Sequence, residues 1–365
     1  MKEMIGSLLE DLIKFRTVAN EVKELKKIID YVDNLFSHPS FHKHHYIRNN
    51  KPSIVVSLTK TKRPKILFVG HLDVVDAEPS QFKPRRDGDR IYGRGALDMK
   101  GPDAVMIQLF LSLAEGERNY PVALMLTTDE EVGSFDGVAY LMEKEGWSAD
   151  FAIIPDGGEN FSLIVEGKGV LHVKIKSSGK SAHGSQPWKG DNAIDKLLLL
   201  YEKLKPNFPQ EPCGDPEHWH NTLSLGKLKG GDSINRVPDA AEMGIDIRFV
   251  SPWTVDEMIE MVMKEMREIP GFDMEIISTG EVMSTPRDHP FITLFKETAE
   301  EVLGTELSFS KVHGATDGRF FSERDIPVII TYPVGDNIHG KNEWVDLNSL
   351  LKLYEIFENF VERVK

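Results

Sequence analysis

The sequence predicts an α/β protein built on a mainly parallel sheet with flanking helices, into which a smaller α+β domain is inserted. Three observations carry that expectation. Short runs at 66–69, 122–127, 151–154 and 327–331 are apolar on both faces, as strands covered by helices on each side must be. Amphipathic segments alternate with these runs, giving the βαβ rhythm that goes with parallel pairing. From about residue 169 to 280 the pattern changes to strands of alternating polarity in the order βαββαβ. Residues 1–168 and 281–365 are therefore expected to form one domain and 169–280 a second, which suits a chain too long for one typical core.

Residues 4–37 place Ile5, Leu8, Leu9, Leu12 and Ile13, then Val22, Leu25, Ile28, Ile29, Val32 and Leu35, at helical spacing. They predict two amphipathic helices with a break near Thr17 to Asn20. The segment SHPSFHKHHY has no acid at ligand spacing and reads as a solvated polar loop. SIVVSL, 53–58, is a strand leading into 66–69, which Gly70 closes. RDGDRIYG gives a turn and a short strand, and Gly93 and Gly95 then lead to Asp98 near the start of a helix from Pro102. A strand (122–127), a helix (137–145) and a strand (151–154) follow. In the inserted segment GVLHVKIKSSG alternates, a His–Gly–Ser loop leads to a helix over 192–204, and NTLSLGKLKGG and AEMGIDIRF read as two strands. A helix over 255–268 and a strand over 274–278 complete it. The chain returns through a helix (291–303), the loop HGATDGRFF, the strand 327–331 and a closing helix from Leu347.

Composition is that of an ordinary globular protein, 40% apolar and 28% charged. No apolar run approaches the roughly 18 residues that span a bilayer, and the N-terminus lacks a secretory core, so no membrane association and a cytoplasmic location are expected. The single cysteine, Cys213, excludes an internal disulfide and fits a reducing compartment; in its Pro-rich loop it reads as an incidental thiol. With 44 basic against 58 acidic residues the net charge is −14, which argues against nucleic acid as a partner.

In an open α/β sheet, ligands bind beyond the carboxyl ends of the strands. All four apolar runs deliver acids or histidines there: His71 and Asp73 after the first, Asp129, Glu130 and Glu131 after the second, Asp156 after the third, and Asp336, Asn337 and His339 after the fourth. Asp98, after its Gly-rich turn, stands where helix dipoles favour an anion. Singly, each of these would pass for a surface polar residue. Together, His and carboxylate without thiolate form the ligand set of a catalytic Zn²⁺, Co²⁺ or Mn²⁺ site. The acids exceed what one ion needs, and two ions about 3.5–4 Å apart with a bridging carboxylate would use them all. GRGALDMKG matches neither a P-loop nor a dinucleotide fingerprint, which sets a nucleotide-binding function aside.

GHLDVVD, GRGALDMKGP, TTDEEVGS, PDGG, SAHGSQPWKGDNAI and IHGKNEW, in that order over nearly the whole chain, resemble the signature segments of the superfamily of di-zinc aminoacylases, succinyl-diaminopimelate desuccinylases, acetylornithine deacetylases and carboxypeptidase G. The resemblance implies a zinc-peptidase-like catalytic domain and a ferredoxin-like insert that serves as lid and dimerisation element. It implies that His71 and Asp156 hold one zinc, Glu131 and His339 the other, and that Asp98 bridges both. Glu130 would be the general base, and Asp73 would orient His71. His183 resembles the residue that reaches the dimer partner's site and steadies the oxyanion, and Asn235 and Arg248 resemble groups that hold the substrate carboxylate. The implied activity is hydrolysis of amide bonds in small carboxylate-bearing substrates, an N-acyl amino acid deacylase or, alternatively, a dipeptidase or carboxypeptidase. Retention of Glu130 and all five ligand positions argues against an inactive relative kept for binding. Asp156 in PDGG and Ala315 in HGATDGRF look more like dipeptidases and aminoacylases than like desuccinylases.

Overall fold

The computed structural model describes residues 1–364 apart from 117, 119 and 210, in two compact units. The first comprises Met1–Val165, Ser284–Lys311 and the segment from Phe320 onward; the second comprises Glu166–Met283 and Val312–Arg319.

In the first unit the sheet runs His42–Arg48, Lys51–Ser57, Val122–Thr127, Ile66–His71, Phe151–Ile154, Val328–Ile330, then Leu163–Gly167. The four strands of its centre are mutually parallel. Ile66 stands opposite Val122 and Phe151, His71 opposite Thr127, and Ile330 opposite Ile154. These are the apolar runs read from the sequence, and their helical crossovers impose the common direction. The flanks are antiparallel: Ile54 faces Leu126, and Ile330 faces Ile164.

The histidine-rich segment expected as a loop is instead an edge strand, His42–Arg48, hairpinned to Lys51–Ser57 with His44 opposite Val55. Its side chains alternate between half-buried and exposed, so backbone pairing outweighs weak strand propensity. The signal was the dipeptide Asn49–Asn50, whose φ values of 45° and 64° suit a two-residue hairpin turn. The strand Leu163–Gly167 also went unanticipated.

The helices Lys2–Ile13, Lys100–Glu115, Pro290–Leu303 and Leu347–Arg363 supply Leu9, Phe110, Phe295 and Phe357 to one core with Phe68 and Phe151 of the sheet. Phe68 is wedged edge-on between Phe110 and Phe357, with centroids 5.9 and 5.2 Å away. Lys100–Glu115 is apolar nearly all round, and residues on every side of it are buried. Asp346 caps the last helix by accepting from Ser349 N at 2.8 Å.

The second unit carries a four-stranded antiparallel sheet ordered Thr222–Gly230, Ala240–Phe249, Gly169–Ser178, Phe272–Gly280. With the helices Ala193–Leu204 and Val255–Arg267 this is βαββαβ in the ferredoxin-like split arrangement. Leu171, Val173 and Ile175 pack with Leu197, Leu200, Ile247 and Met258 in its core. Asn192 caps the first helix through Ile194 N, and Thr254 and Glu257 form a capping box on the second.

Candidate metal centre

The parallel register brings the carboxyl ends of Ile66–His71, Val122–Thr127 and Phe151–Ile154 to one edge of the sheet. The chain leaves Ile66–His71 toward Val122–Thr127 on one side, while the next strand, Phe151–Ile154, lies on the other. A crevice opens between connections that diverge in this way. His71 ends the first of these strands rather than following it, and it is buried. Gly70 before it is obligatory in packing terms: a Cβ there would collide with Asp103 Oδ1 and Met106.

Asp73 acts on the acidic turn as well as on the histidine. Its two carboxylate oxygens accept from Glu130 N at 3.2 Å and Glu131 N at 3.1 Å, fixing the turn that presents both glutamates. His71 Nδ1 lies 3.0 Å from the Asp73 carbonyl and 3.6 Å from its carboxylate, which leaves Nε2 pointing into the site. Asp129 plays no part in the cluster; its Oδ2 accepts from Asp136 N and Gly137 N at the start of the next helix.

Asp98 and His339, far apart in sequence, meet because of a small antiparallel sheet. Gly335–Asp336 pairs with Trp344–Asp346, which pairs with Arg90–Tyr92, so the loops 93–98 and 337–343 leave the same sheet side by side. Glu343 locks them together. It is buried, is ion-paired to Arg94 at 2.6 Å, and accepts from the backbone N–H groups of Gly95, Leu97 and Asp98 at 3.0, 2.9 and 3.1 Å. Burial pushes its carboxyl up, against those N–H donors and Arg94. Neither Glu343 nor Arg94 was singled out from the sequence, although both lie inside motifs that were. A buried acid beside an invariably charged arginine is visible only after folding. Lys100, also unanticipated, is buried with its Nζ on the Phe15 carbonyl at 2.8 Å, and burial lowers it to about 7.

Two sets of ligand atoms result, His71 with Glu130 and Asp156, and Asp98 with Glu131 and His339, each set within 4.8 Å of one another. Asp98 faces both, Oδ1 lying 3.2 Å from His71 Nε2 and Oδ2 3.0 Å from His339 Nε2. Asp156 and Glu130 are 3.7 and 3.9 Å from His71 Nε2, and Glu131 is 3.3 Å from His339 Nε2. His71 Nε2 is buried among these carboxylates yet makes no well-directed hydrogen bond, the signature of an atom shaped for something other than a proton partner. Burial disfavours the His71 cation, but Asp156, Asp73 and Asp98 around the ring outweigh it and hold the pKa well above the usual value. Asp98 and Glu131 raise His339 to about 10. Burial opposes ionisation of Asp98, and the two histidines overcome it and drive its pKa down. A cluster that draws protons onto histidines in this way is one in which divalent cations would take their place.

The residues 67–363 match the model of peptidase family M20/M25/M40. This chain belongs to that family. A relative, the succinyl-diaminopimelate desuccinylase of Rickettsia massiliae (strain Mtu5), is 26% identical over 388 residues, spanning 99% of this chain and 100% of that protein. Among solved structures, the M20 family metallo-carboxypeptidase Sso-CP2 from Sulfolobus solfataricus superposes with a TM-score of 0.77 at 18% identity, covering 99% of both chains. The aminopeptidase PepT from Bacillus cereus ATCC 10987 gives a TM-score of 0.76 at 19% identity, covering 99% of this chain and 98% of that one. The M20 fold, an α/β sheet parallel at its centre with flanking helices, is thus shared, and the protein is a metal-dependent hydrolase.

The other positions singled out from the sequence lie in the second unit. His183 pairs opposite Arg236 in a two-residue bridge, is exposed, and has Nδ1 2.8 Å from Ser185 Oγ. The Asn235 carbonyl accepts from Gly184 N at 2.7 Å, which brings these two loops together. Arg248, expected to be open to a substrate carboxylate, is already paired. Its Nε and Nη2 donate to Asp246 at 2.8 and 3.2 Å, because alternate residues of one strand share a face. Among the described residues no helix is long and apolar enough to cross a membrane.

Proposed function

We propose that this M20 enzyme hydrolyses the amide bond of small N-acyl amino acids bearing a free carboxylate, with two zinc ions that cobalt or manganese can replace. The observation that carries the two-ion reading is Asp98, which turns one oxygen to each ligand set. The donors fit such a pair: imidazole and carboxylate, no thiolate, and a buried His71 Nε2 with no hydrogen-bond partner. His71 and Asp156 would hold one ion and Glu131 and His339 the other, with Asp98 shared. Bound there, the ions supply Lewis acidity and bring the pKa of a water toward about 7.

The chain's own groups do the rest. Glu130, held by the Asp73 cap next to ligand Glu131, accepts the proton of the attacking water and returns it to the leaving amine. Asp73 keeps His71 in the tautomer that offers Nε2. The second unit serves as lid and dimerisation element of a homodimer, His183 donating to the oxyanion in the partner's site and Asn235 and Arg248 holding the substrate carboxylate. Arg248 then exchanges Asp246 for the substrate, an exchange of one carboxylate for another that costs little charge separation. The single cysteine supports a cytoplasmic setting.

The desuccinylase relatives support an acyl amino acid as substrate. Asp156 in PDGG, which resembles dipeptidases as well as aminoacylases, favours a second reading, a dipeptidase or carboxypeptidase. Hydrolysis of a panel of N-acetyl and N-succinyl amino acids and dipeptides, with added Zn²⁺ or Co²⁺, separates the two. Turnover of dipeptides with no cleavage of any N-acyl amino acid would replace the first reading by the second.

A further inference from the structure

Outside the M20 centre, and made of none of its residues, a second mixed cluster lies in the loop that precedes the edge strand Thr222–Gly230 of the second unit. Glu211, Cys213, His218 and His220 each offer one ligand atom, all within 4.8 Å of one another. We propose that these four residues form a structural zinc site that fixes this loop.

The spacing fits the metal. Tetrahedral zinc, with Zn–S of about 2.3 Å and Zn–N or Zn–O of about 2.0–2.2 Å, needs ligand atoms about 3.3–3.5 Å apart. Cys213 Sγ is 3.2 Å from His218 Nδ1, Glu211 Oε1 is 3.1 Å from the same nitrogen, and Glu211 Oε1 is 3.8 Å from His220 Nε2. These three of the six edges lie within about half an ångström of the ideal, and all six are within 4.8 Å. Small side-chain adjustments close the polyhedron.

His220 distinguishes this cluster from a surface hydrogen-bond network. Its Nδ1 lies 3.0 Å from the Asn221 carbonyl and donates to it, which leaves Nε2 as the unprotonated nitrogen, the tautomer a metal requires. That Nε2 is buried with no hydrogen-bond partner. The loop is already shaped from behind. Lys168 Nζ donates to the carbonyls of His218 and His220 at 3.0 and 2.8 Å, and Asp215 accepts from Glu217 N and Trp219 N at 2.9 and 2.7 Å. These bonds hold the turn that brings Cys213 back to His218. A thiolate with two imidazoles selects zinc over magnesium or calcium, and the exposed Glu211 and His218 leave a path for the ion. On binding, the Cys213 thiol gives its proton to solvent and the sulfur becomes a ligand.

Cobalt provides a test that the M20 centre cannot confuse. Cys213 is the only cysteine in the chain, and no thiolate belongs to the M20 centre, so a thiolate-to-cobalt charge-transfer band in the Co²⁺-loaded full chain reports this site alone. The wild type should show the band. Cys213→Ser and His220→Asn should each lose it and bind one zinc ion per chain fewer than wild type by elemental analysis, with hydrolysis at saturating metal unchanged. A wild-type protein without the band, or variants that retain the full zinc content, overturns the proposal. The readout is a difference between chains with identical M20 centres, so it stands whatever substrate or ion count that centre has.

Discussion

Replacing Glu343 by Gln removes one charge from a pocket where nothing else can take its place. The carboxylate is buried, neutralises Arg94 at 2.6 Å, and accepts from three backbone N–H groups of the loop that bears Asp98. Glutamine keeps the shape but leaves a buried guanidinium uncompensated, a loss of about 3–5 kcal/mol. It also turns an NH₂ group toward N–H donors that have no other acceptor, each worth about 1–3 kcal/mol if left unsatisfied. A loss of at least about 3 kcal/mol in urea unfolding is therefore expected, with an unchanged m-value. Because the Asp98 backbone is part of the same clamp, divalent-ion affinity measured by chelator competition should fall by roughly 10–100-fold. Breaking the more exposed Lys2–Asp89 pair with Asp89→Asn serves as a control and should shift the unfolding midpoint far less, because solvent screens that pair. Arg94→Met combined with Glu343→Gln removes the stranded charge but not the stranded N–H groups, so it should recover stability only in part. A Glu343→Gln protein within 1 kcal/mol of wild type and with unaltered ion affinity would refute the clamp.

Three further outcomes follow from the site. Glu130→Gln should retain its metal and lose several powers of ten in turnover, whereas Glu131→Gln should lose metal; equal metal loss in both would end that division of labour. His183→Ala should lower turnover by roughly 10²–10³ with metal content unchanged, and mixing it with Glu130→Gln should restore activity if the histidine acts across a dimer. No recovery despite demonstrated subunit exchange would place its action within one chain or remove it. Asp103 is buried with neither carboxyl oxygen hydrogen-bonded, and burial holds its pKa well above the usual value against the attraction of His71. The folded chain therefore keeps a proton that the unfolded chain loses above about pH 4, so this group's contribution to stability falls as pH rises from there toward the folded-state pKa. Asp103→Asn, neutral throughout, should gain Tm on wild type between pH 5 and pH 8, and a constant Tm difference over that range would count against a protonated Asp103.

The sequence determined the four central strands and the helices between them, because runs such as 66–69 and 122–127 are buried on both faces and leave no ambiguity about period. It also determined that acids and histidines would gather at one sheet edge, since parallel strands share a carboxyl end. The edge strand His42–Arg48 escaped notice because its residues are chosen by solvent on one side, and only pairing with Lys51–Ser57 makes them a strand. What tertiary structure alone decided is how the gathered groups are held. His71 faces Asp98 through adjacent strand and loop ends, but Asp98 meets His339 only because the sheet of Arg90–Tyr92 and Trp344–Asp346 sets their loops side by side and Glu343 ties one to the other. Arg248 keeps Asp246 as its partner for a similar reason, strand geometry placing alternate residues on one face. The cluster around Cys213 is local in sequence, within residues 211–220, but it closes only on folding. In sequence it is a lone cysteine in a Pro-rich loop, and only the turn held by Asp215 and Lys168 brings Glu211, His218 and His220 to the sulfur. The turn itself rests on bonds inside the loop and on Lys168 from outside it, and one-dimensional spacing carries no record of either.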